Sequence, residues 1–248
     1  MPIQLDLNKS ARNLRLSLDK VGVATQIKAE LVFIIDVSGS FEHEHEEGTT
    51  SLLLQRLVPY GMVLDPDGKM DVFTFSGGAR NAHYVGTVTP EDSDNYLVRN
   101  VCGRVPGWGD GTTYSYVLEK ALRHLGWMPQ EQQGGFFSRF FGRPAEQTPV
   151  QKKRSIIIFV TDGENDKSDE ARTMRVLEDS QRRGDQVYFL FLGTCDEHVN
   201  FEFLQTIARQ FKNTGAIIER DVEGFVKESD EAINARLLRP ELIEWLKS

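Results

Sequence analysis

The sequence predicts an α/β fold, a doubly wound, mostly parallel sheet flanked by helices on both faces. Three observations carry that prediction. Leu31-Val-Phe-Ile-Ile35 and Ser155-Ile-Ile-Ile-Phe-Val160 are near-continuous apolar runs, the pattern of strands buried on both sides. Each ends abruptly in oxygen-bearing or turn-forming residues, Asp36-Val-Ser38-Gly-Ser40 and Thr161-Asp162-Gly163-Glu164. From residue 28 onward strand and helix patterns alternate, as in sheets wound with helices on each face. A chain of 248 residues, 40% hydrophobic and 27% charged, is large enough to bury one such core.

Taken in order, residues 1 to 27 form an extension that two periodicities describe equally well. Leu14, Leu18 and Val21 share a helical face, while Leu14, Leu16 and Leu18 alternate as in a strand. After the first strand comes an acidic, His-bearing patch, Glu42-His-Glu-His-Glu-Glu47, then Thr49-Thr50 as a helix cap and an apolar stripe of Leu52, Leu53, Leu57 and Val58. Asp65-Pro-Asp-Gly68 is a turn, since Pro fixes φ and Gly permits positive φ. Met70 to Phe75 alternates as a strand, Tyr84 to Val88 reads as an edge strand, and residues 91 to 102 as a short helix. Gly103 to Gly111, a loop with four glycines, leads through Thr112-Thr113 into a strongly amphipathic helix on Tyr114, Val117, Leu118, Ala121, Leu122 and Leu125. Residues 129 to 152 are an insertion loop rich in Gly, Pro and Gln. Beyond the Ser155 strand follow a helix over 168–183, the strand Val187 to Leu192 closed by Gly193, a helix on Phe203 to Phe211, the strand Ala216 to Ile218, and a helix over 223–238. Pro240 ends that helix or starts a last one containing Trp245.

Composition excludes some partners. A formal charge of −8 argues against a nucleic-acid backbone or an anionic membrane. No apolar segment reaches the roughly 18 residues of a membrane span. Cys102 and Cys195 have no metal-ligand spacing and read as reduced thiols, and the N-terminus has no signal-peptide pattern, so the expected compartment is the cytoplasm.

In doubly wound sheets, ligands bind beyond the carboxyl ends of the strands where the winding reverses. With a 3-2-1-4-5 strand order, the strands ending in Asp36 and Asp162 are neighbours at that point, and the loop carrying Thr112 reaches the same crevice. The set Asp36, Ser38, Ser40, Thr112 and Asp162 offers only oxygen donors, which suits a hard cation, most simply Mg²⁺, with Mn²⁺ or Ca²⁺ as substitutes. Three hydroxyls dilute two carboxylates, so the cation stays electrophilic and a partner's carboxylate can replace one of its waters.

These residues resemble the metal-ion-dependent adhesion site of the von Willebrand factor A domain, in the D-x-S-x-S of Asp36 to Ser40, the Gly111-Thr112 pair and the T-D-G-E of Thr161 to Glu164. More narrowly, Leu57-Val-Pro-Tyr60, Asp67 to Phe75, Gly111 to Leu118, Phe191-Leu-Gly193 and Phe201-Glu-Phe203 are similar to the tellurium-resistance (TerF-like) branch, related to the copine-type domain. The resemblance implies a Rossmann-like von Willebrand factor A fold over 28–248, all five metal ligands, and a non-enzymatic, cytoplasmic interaction module of a bacterial stress or tellurium-resistance type system. The sequence departs from the family at the Glu42 to Glu47 patch, which replaces a shorter hydrophobic or basic stretch.

Bland readings stand beside these. The His43-x-His45 pair is a transition-metal site or simply a solvated acidic segment. Phe136-Phe-Ser-Arg-Phe-Phe141 docks on a partner, which the net charge favours over a membrane, or tucks against the sheet edge. His83, His124 and His198 read as surface or helix-end residues. The alternative function is a metal-dependent hydrolase or phosphatase in the same crevice, with Asp36 as nucleophile; Ser38 stands where such phosphatases need a second Asp.

Overall fold

The computed structural model describes residues 5–23, 27–129, 152–195 and 199–248. Its centre is a six-stranded sheet of order β3-β2-β1-β4-β5-β6, made of β1 (Glu30–Asp36), β2 (Met70–Phe75), β3 (His83–Val88), β4 (Ser155–Thr161), β5 (Val187–Thr194) and β6 (Thr214–Glu219). All neighbours are parallel except β3, which runs antiparallel to β2 at one edge. The winding reverses between β1 and β4.

The apolar runs divide their side chains between two cores. Leu31, Phe33 and Ile35 of β1, with Ile156, Ile158 and Val160 of β4, enter one. Val32, Ile34, Ile157 and Phe159 enter the other. A strand that feeds both layers has no polar face, which is why both runs are apolar without interruption.

The first core is closed by α1 (Leu7–Lys20), α3 (Thr49–Leu64) and the C-terminal helices α9 (Asp230–Leu237) and α10 (Pro240–Lys247). The second is closed by α5 (Ser115–His124), α6 (Lys167–Arg183) and α7 (Glu202–Gln210). Short helices α2 (Glu42–Glu46), α4 (Tyr96–Asn100) and α8 (Val222–Phe225) complete the order. Among the described residues, no helix is long and apolar enough to cross a membrane.

The N-terminal extension resolves as a helix. Ala11, Leu14 and Leu18 line its buried face at helical spacing, whereas Leu16, which a strand would place beside Leu14, is 53% exposed. Asp6 caps it by accepting from the Lys9 N–H at 3.0 Å. Ser10 and Asn13 hydrogen-bond Asp230 at the start of α9, and Arg56 of α3 donates to the same carboxylate at 3.2 Å. Leu14 is fully buried, so Leu14→Ala should cost about 3 kcal/mol in urea unfolding. A loss below about 1 kcal/mol would mean that α1 is not part of the core.

Several boundaries differ from the sequence expectations; the helix expected over 91–102 is confined to α4, Tyr96–Asn100. The single helix over 223–238 is two, because Asp221 accepts from Gly224 N at 2.7 Å and Ser229 from Ala232 N at 3.3 Å, each starting a helix of its own. β5 runs through Gly193 to Thr194. The cap of α3 is Gly48 at φ +82°, and the Thr50 hydroxyl is used elsewhere. Pro240 starts α10. The Phe136 to Phe141 patch, most of the insertion loop and His198 lie outside the described residues.

Candidate metal centre at the switch point

β1 delivers Asp36 to the sheet's carboxyl edge with no exposure to solvent. One carboxylate oxygen accepts from Ser38 N at 2.8 Å, and the other from the Thr161 hydroxyl of β4 at 2.6 Å. The parallel register that sets Ile35 opposite Val160 places Thr161 for that bond and Asp162 just past it. The chain then turns through a 3₁₀ segment, Gly39–Phe41. The Ser38 and Ser40 hydroxyls lie 3.3 Å apart, and Ser38 donates to Asp162 Oδ1 at 3.5 Å. Four of the five sequence-predicted residues therefore form one cluster.

The fifth, Thr112, arrives on the glycine loop. That loop is tied to the turn after β1 at two points, by Gly109 N to Val37 O at 2.9 Å and Gly39 N to Asp110 O at 3.3 Å. At Gly107 the backbone has φ +74° and passes so near Ser76 and Asn81 that a Cβ would fall 2.3 Å from the Ser76 hydroxyl and 2.2 Å from Asn81 Cγ. The Thr112 hydroxyl lies 3.9 Å from where a Cβ on Gly163 would stand, beside the Asp162 turn, and its carbonyl accepts from Asp166 N at 2.9 Å.

Several residues that hold this arrangement gave no signal in the sequence. Thr113 ties the loop to the end of β2, donating to Ser76 O and accepting from Gly78 N. Asn165 and Asp169 accept from the first N–H groups of α5, at Tyr114 and Ser115, while the Tyr114 hydroxyl donates to Gly163 O at 2.6 Å.

The acidic patch is not uniformly solvated. It forms α2, which turns His45 fully inward while His43, Glu46 and Glu47 stay exposed. His45 Nε2 is 2.8 Å from the Asp36 carbonyl, which can only accept, so Nε2 carries the proton. Nδ1 then accepts from the Thr50 hydroxyl at 2.8 Å. The ring packs between Phe41 and Trp108, joining β1, α3 and the glycine loop. Burial pushes its pKa down to about 4. With both nitrogens engaged it is a structural imidazole, which removes it from the transition-metal pair with His43.

The electrostatics favour a cation. Burial, then the charge of Asp162, pushes Asp36 up to about 7, against hydrogen bonds from Thr161 and Ser38. Burial, then the charge of Glu44, pushes Asp162 up to about 6, against the Ser40 and Ser38 hydroxyls. Among the described residues neither carboxylate has a basic partner. Two adjacent, desolvated carboxylates without a counter-charge are costly unless a proton or a cation neutralises them. The donor set therefore fits a hard divalent cation. Beyond the two carboxylates, the donors such an ion would find here are hydroxyls, because among the described residues no three His, Cys, Asp or Glu side chains gather around one point.

A family model, vWA-TerF-like, described as the vWA domain found in the TerF C terminus, matches residues 28–248. Among solved structures, the N-terminal domain of TFIIH p34 is similar at 12% identity and a TM-score of 0.52, over 82% of this chain and 96% of that one. That likeness is one of fold, the mostly parallel, Rossmann-like sheet of von Willebrand factor A domains. Proximal thread matrix protein 1 from the mussel byssus shares 16% identity at a TM-score of 0.48, over 81% of this chain and 46% of that one. The chain thus spans about half the length of the byssus protein. Manganese-loaded TRAP of Plasmodium vivax shares 15% identity at a TM-score of 0.45, over 84% and 75%. No curated protein matches.

Proposed function

The chain belongs to the vWA-TerF-like family, and from that premise we propose that it is a non-enzymatic interaction module that engages a protein partner through a cation held at the switch point. The observation that carries this reading is the pair Asp36 and Asp162, both buried, with no basic partner among the described residues and ringed by hydroxyls. Asp36, Ser38, Ser40, Thr112 and Asp162 would hold the ion, with Mg²⁺ the simplest choice and Mn²⁺ or Ca²⁺ as substitutes. When bound, a hard cation supplies an electrophilic position at which a partner's carboxylate replaces water.

The rest of the work belongs to the chain. Thr161 and Ser38 N fix the Asp36 carboxylate by occupying one lone pair on each oxygen, which leaves the others free for a ligand. Ser40 stands on the exposed rim, where a partner would arrive. The glycine loop, bonded at two points to the turn after β1, presents Thr112 without needing to fold on binding. A role in a tellurium-resistance type of system is suggested only by TerF in the family's name, and its bacterial, stress-related and cytoplasmic setting is part of the proposal, taken from the sequence resemblance.

Immobilised protein should capture its partner from host lysate in Mg²⁺ and release it in EDTA. Thr112→Ala removes one donor hydroxyl and keeps the carbonyl bond to Asp166, so capture should fall at least about tenfold with the fold intact. Equal capture in Mg²⁺ and EDTA would end the proposal. Turnover of p-nitrophenyl phosphate that disappears in Thr112→Ala would favour the hydrolase instead.

A further inference from the structure

The face of the sheet opposite α1 carries a groove that the switch point does not use. It consists of two hollows, of about 490 and 300 Å³, that share Glu119 of α5 and Arg172 of α6. The larger holds Lys120 and Arg123, and the smaller follows α6 to Arg175 and Arg183. Arg172, Arg175, Asp179 and Arg183 stand at i, i+3, i+7 and i+11, one stripe of that helix. Over that stripe the helix rises about 16 Å, the length of about five residues of extended chain. Five lysine and arginine side chains thus line the groove against two carboxylates, in a chain whose formal charge is −8. The carboxylates do not cancel them. Glu119 accepts from Arg172 at 3.0 Å and from Arg123 at 3.3 Å, so one acid is shared by two guanidiniums. Asp179 is engaged by Arg182 at 2.8 Å. Lys120 donates to a carbonyl, Ala82 O at 2.8 Å, which leaves its charge in place, and among the described residues Arg175 has no acidic partner. Arg172 is held further by the Tyr116 ring, 4.0 Å below its guanidinium. Phe73 and Val176, both buried, supply apolar lining.

We propose that this groove binds an extended acidic segment of a protein partner, and that it does so without the cation site. In an extended segment successive side chains point to opposite sides, so acidic residues meet the arginines and Lys120 while the apolar ones between them meet Phe73 and Val176. Guanidiniums fixed in advance by Glu119 and Tyr116 lose little freedom on binding. A nucleic acid fits worse. Its phosphates form an unbroken line, whereas Glu119 and Asp179 interrupt the basic stripe, and a peptide can set neutral residues opposite them. A single small anion would fill one hollow and leave the other unused.

The probe is a fluorescein-labelled peptide of about eight residues, alternating glutamate and tyrosine, followed by fluorescence anisotropy in EDTA at low salt. Wild type should bind it, and should bind the same peptide with glutamine for glutamate at least about tenfold more weakly. Arg175→Glu and Lys120→Glu change exposed residues in different hollows, and each should weaken binding about tenfold. Arg15→Glu makes the same charge change on exposed α1, across the sheet, and should match wild type. If Arg15→Glu weakens binding as much, or the two peptides bind alike, bulk charge or non-specific contact explains the signal and the proposal falls. If only one of the two groove variants matters, no segment spans both hollows and it falls as well. Tighter binding of AMP or of an oligothymidylate than of the peptide would reassign the groove to phosphate ligands. A wild-type dimer that Arg175→Glu dissolves would reassign it to a second copy of the chain. No binding of the glutamate peptide by wild type would end the proposal outright, and leave the cation reading untouched.

Discussion

Asp36→Asn should abolish the Mg²⁺-dependent rise in melting temperature and leave the metal-free protein at pH 8 at least as stable as wild type. Asparagine keeps an acceptor for Ser38 N and a partner for the Thr161 hydroxyl, so the local bonds survive while the charge goes. In wild type, Mg²⁺ at about one hundred times its dissociation constant should add about 2.7 kcal/mol, or about 5–10 °C for a chain of this size. The response should depend on pH. The Asp36 carboxyl, at about 7 in the fold against an ordinary 3.8, holds its proton more tightly when folded. Its contribution is therefore full below about 3.8 and lost as pH rises through 7. Mg²⁺ must displace that proton, so its stabilising effect should be largest at pH 8 and shrink as pH falls through 7 and 6. Thermal melts in Mg²⁺ and in EDTA at pH 5.5 and 8 read both effects. A Mg²⁺ gain that survives in the Asn variant, or is equal at the two pH values, would contradict the assignment of Asp36.

His45→Ala should be among the most damaging single changes in the protein, about 4 kcal/mol in urea unfolding. The loss combines a ring-sized cavity with two buried groups stripped of partners, the Asp36 carbonyl and the Thr50 hydroxyl, at about 1–3 kcal/mol each less what water recovers. His45→Gln, whose amide can still donate toward the Asp36 carbonyl, should recover part of that loss. Mg²⁺ affinity should follow the same order, because the imidazole anchors the main chain of Asp36. The ring also acts on pH stability in the sense opposite to Asp36. It stays neutral down to about 4 in the fold, whereas the unfolded imidazole takes a proton near 6.5, so its contribution is full above 6.5 and declines toward 4. The alanine variant should lose that acid sensitivity. A cost under about 1 kcal/mol would show that His45 is not the tether that the geometry describes.

Most of what positions the crevice was legible in the sequence for a physical reason. A strand buried on both faces must be apolar throughout, so β1 and β4 announced themselves, and their polar ends fell at the sheet edge where parallel neighbours meet. What remained hidden was hidden by local ambiguity or by distance. Leu16 made a strand of α1 arithmetically acceptable, and only its exposure shows the helix. Asp221 and Ser229 split one amphipathic pattern into two helices through single hydrogen bonds that leave no periodic trace. Glu-His-Glu-His reads as solvated by composition, yet one helical turn suffices to send His45 inward beneath Asp36. Asn165 and Asp169 clamp the start of α5 from about 50 residues away, beyond any window of pattern.

The bond between the Thr161 hydroxyl and Asp36 spans 125 residues of chain. Strand β1 can pair with β2 early, but its other side waits for β4. At a synthesis rate of about 5–20 residues per second, that wait is on the order of 6–25 s. During it, an apolar strand with an open flank is available to the wrong partner. The crevice consequently cannot form on a fragment that ends before Thr161, and it comes into being only when the two central strands close a very large loop. Slow refolding from denaturant is the expected cost of building a site at the seam between two distant halves of the chain.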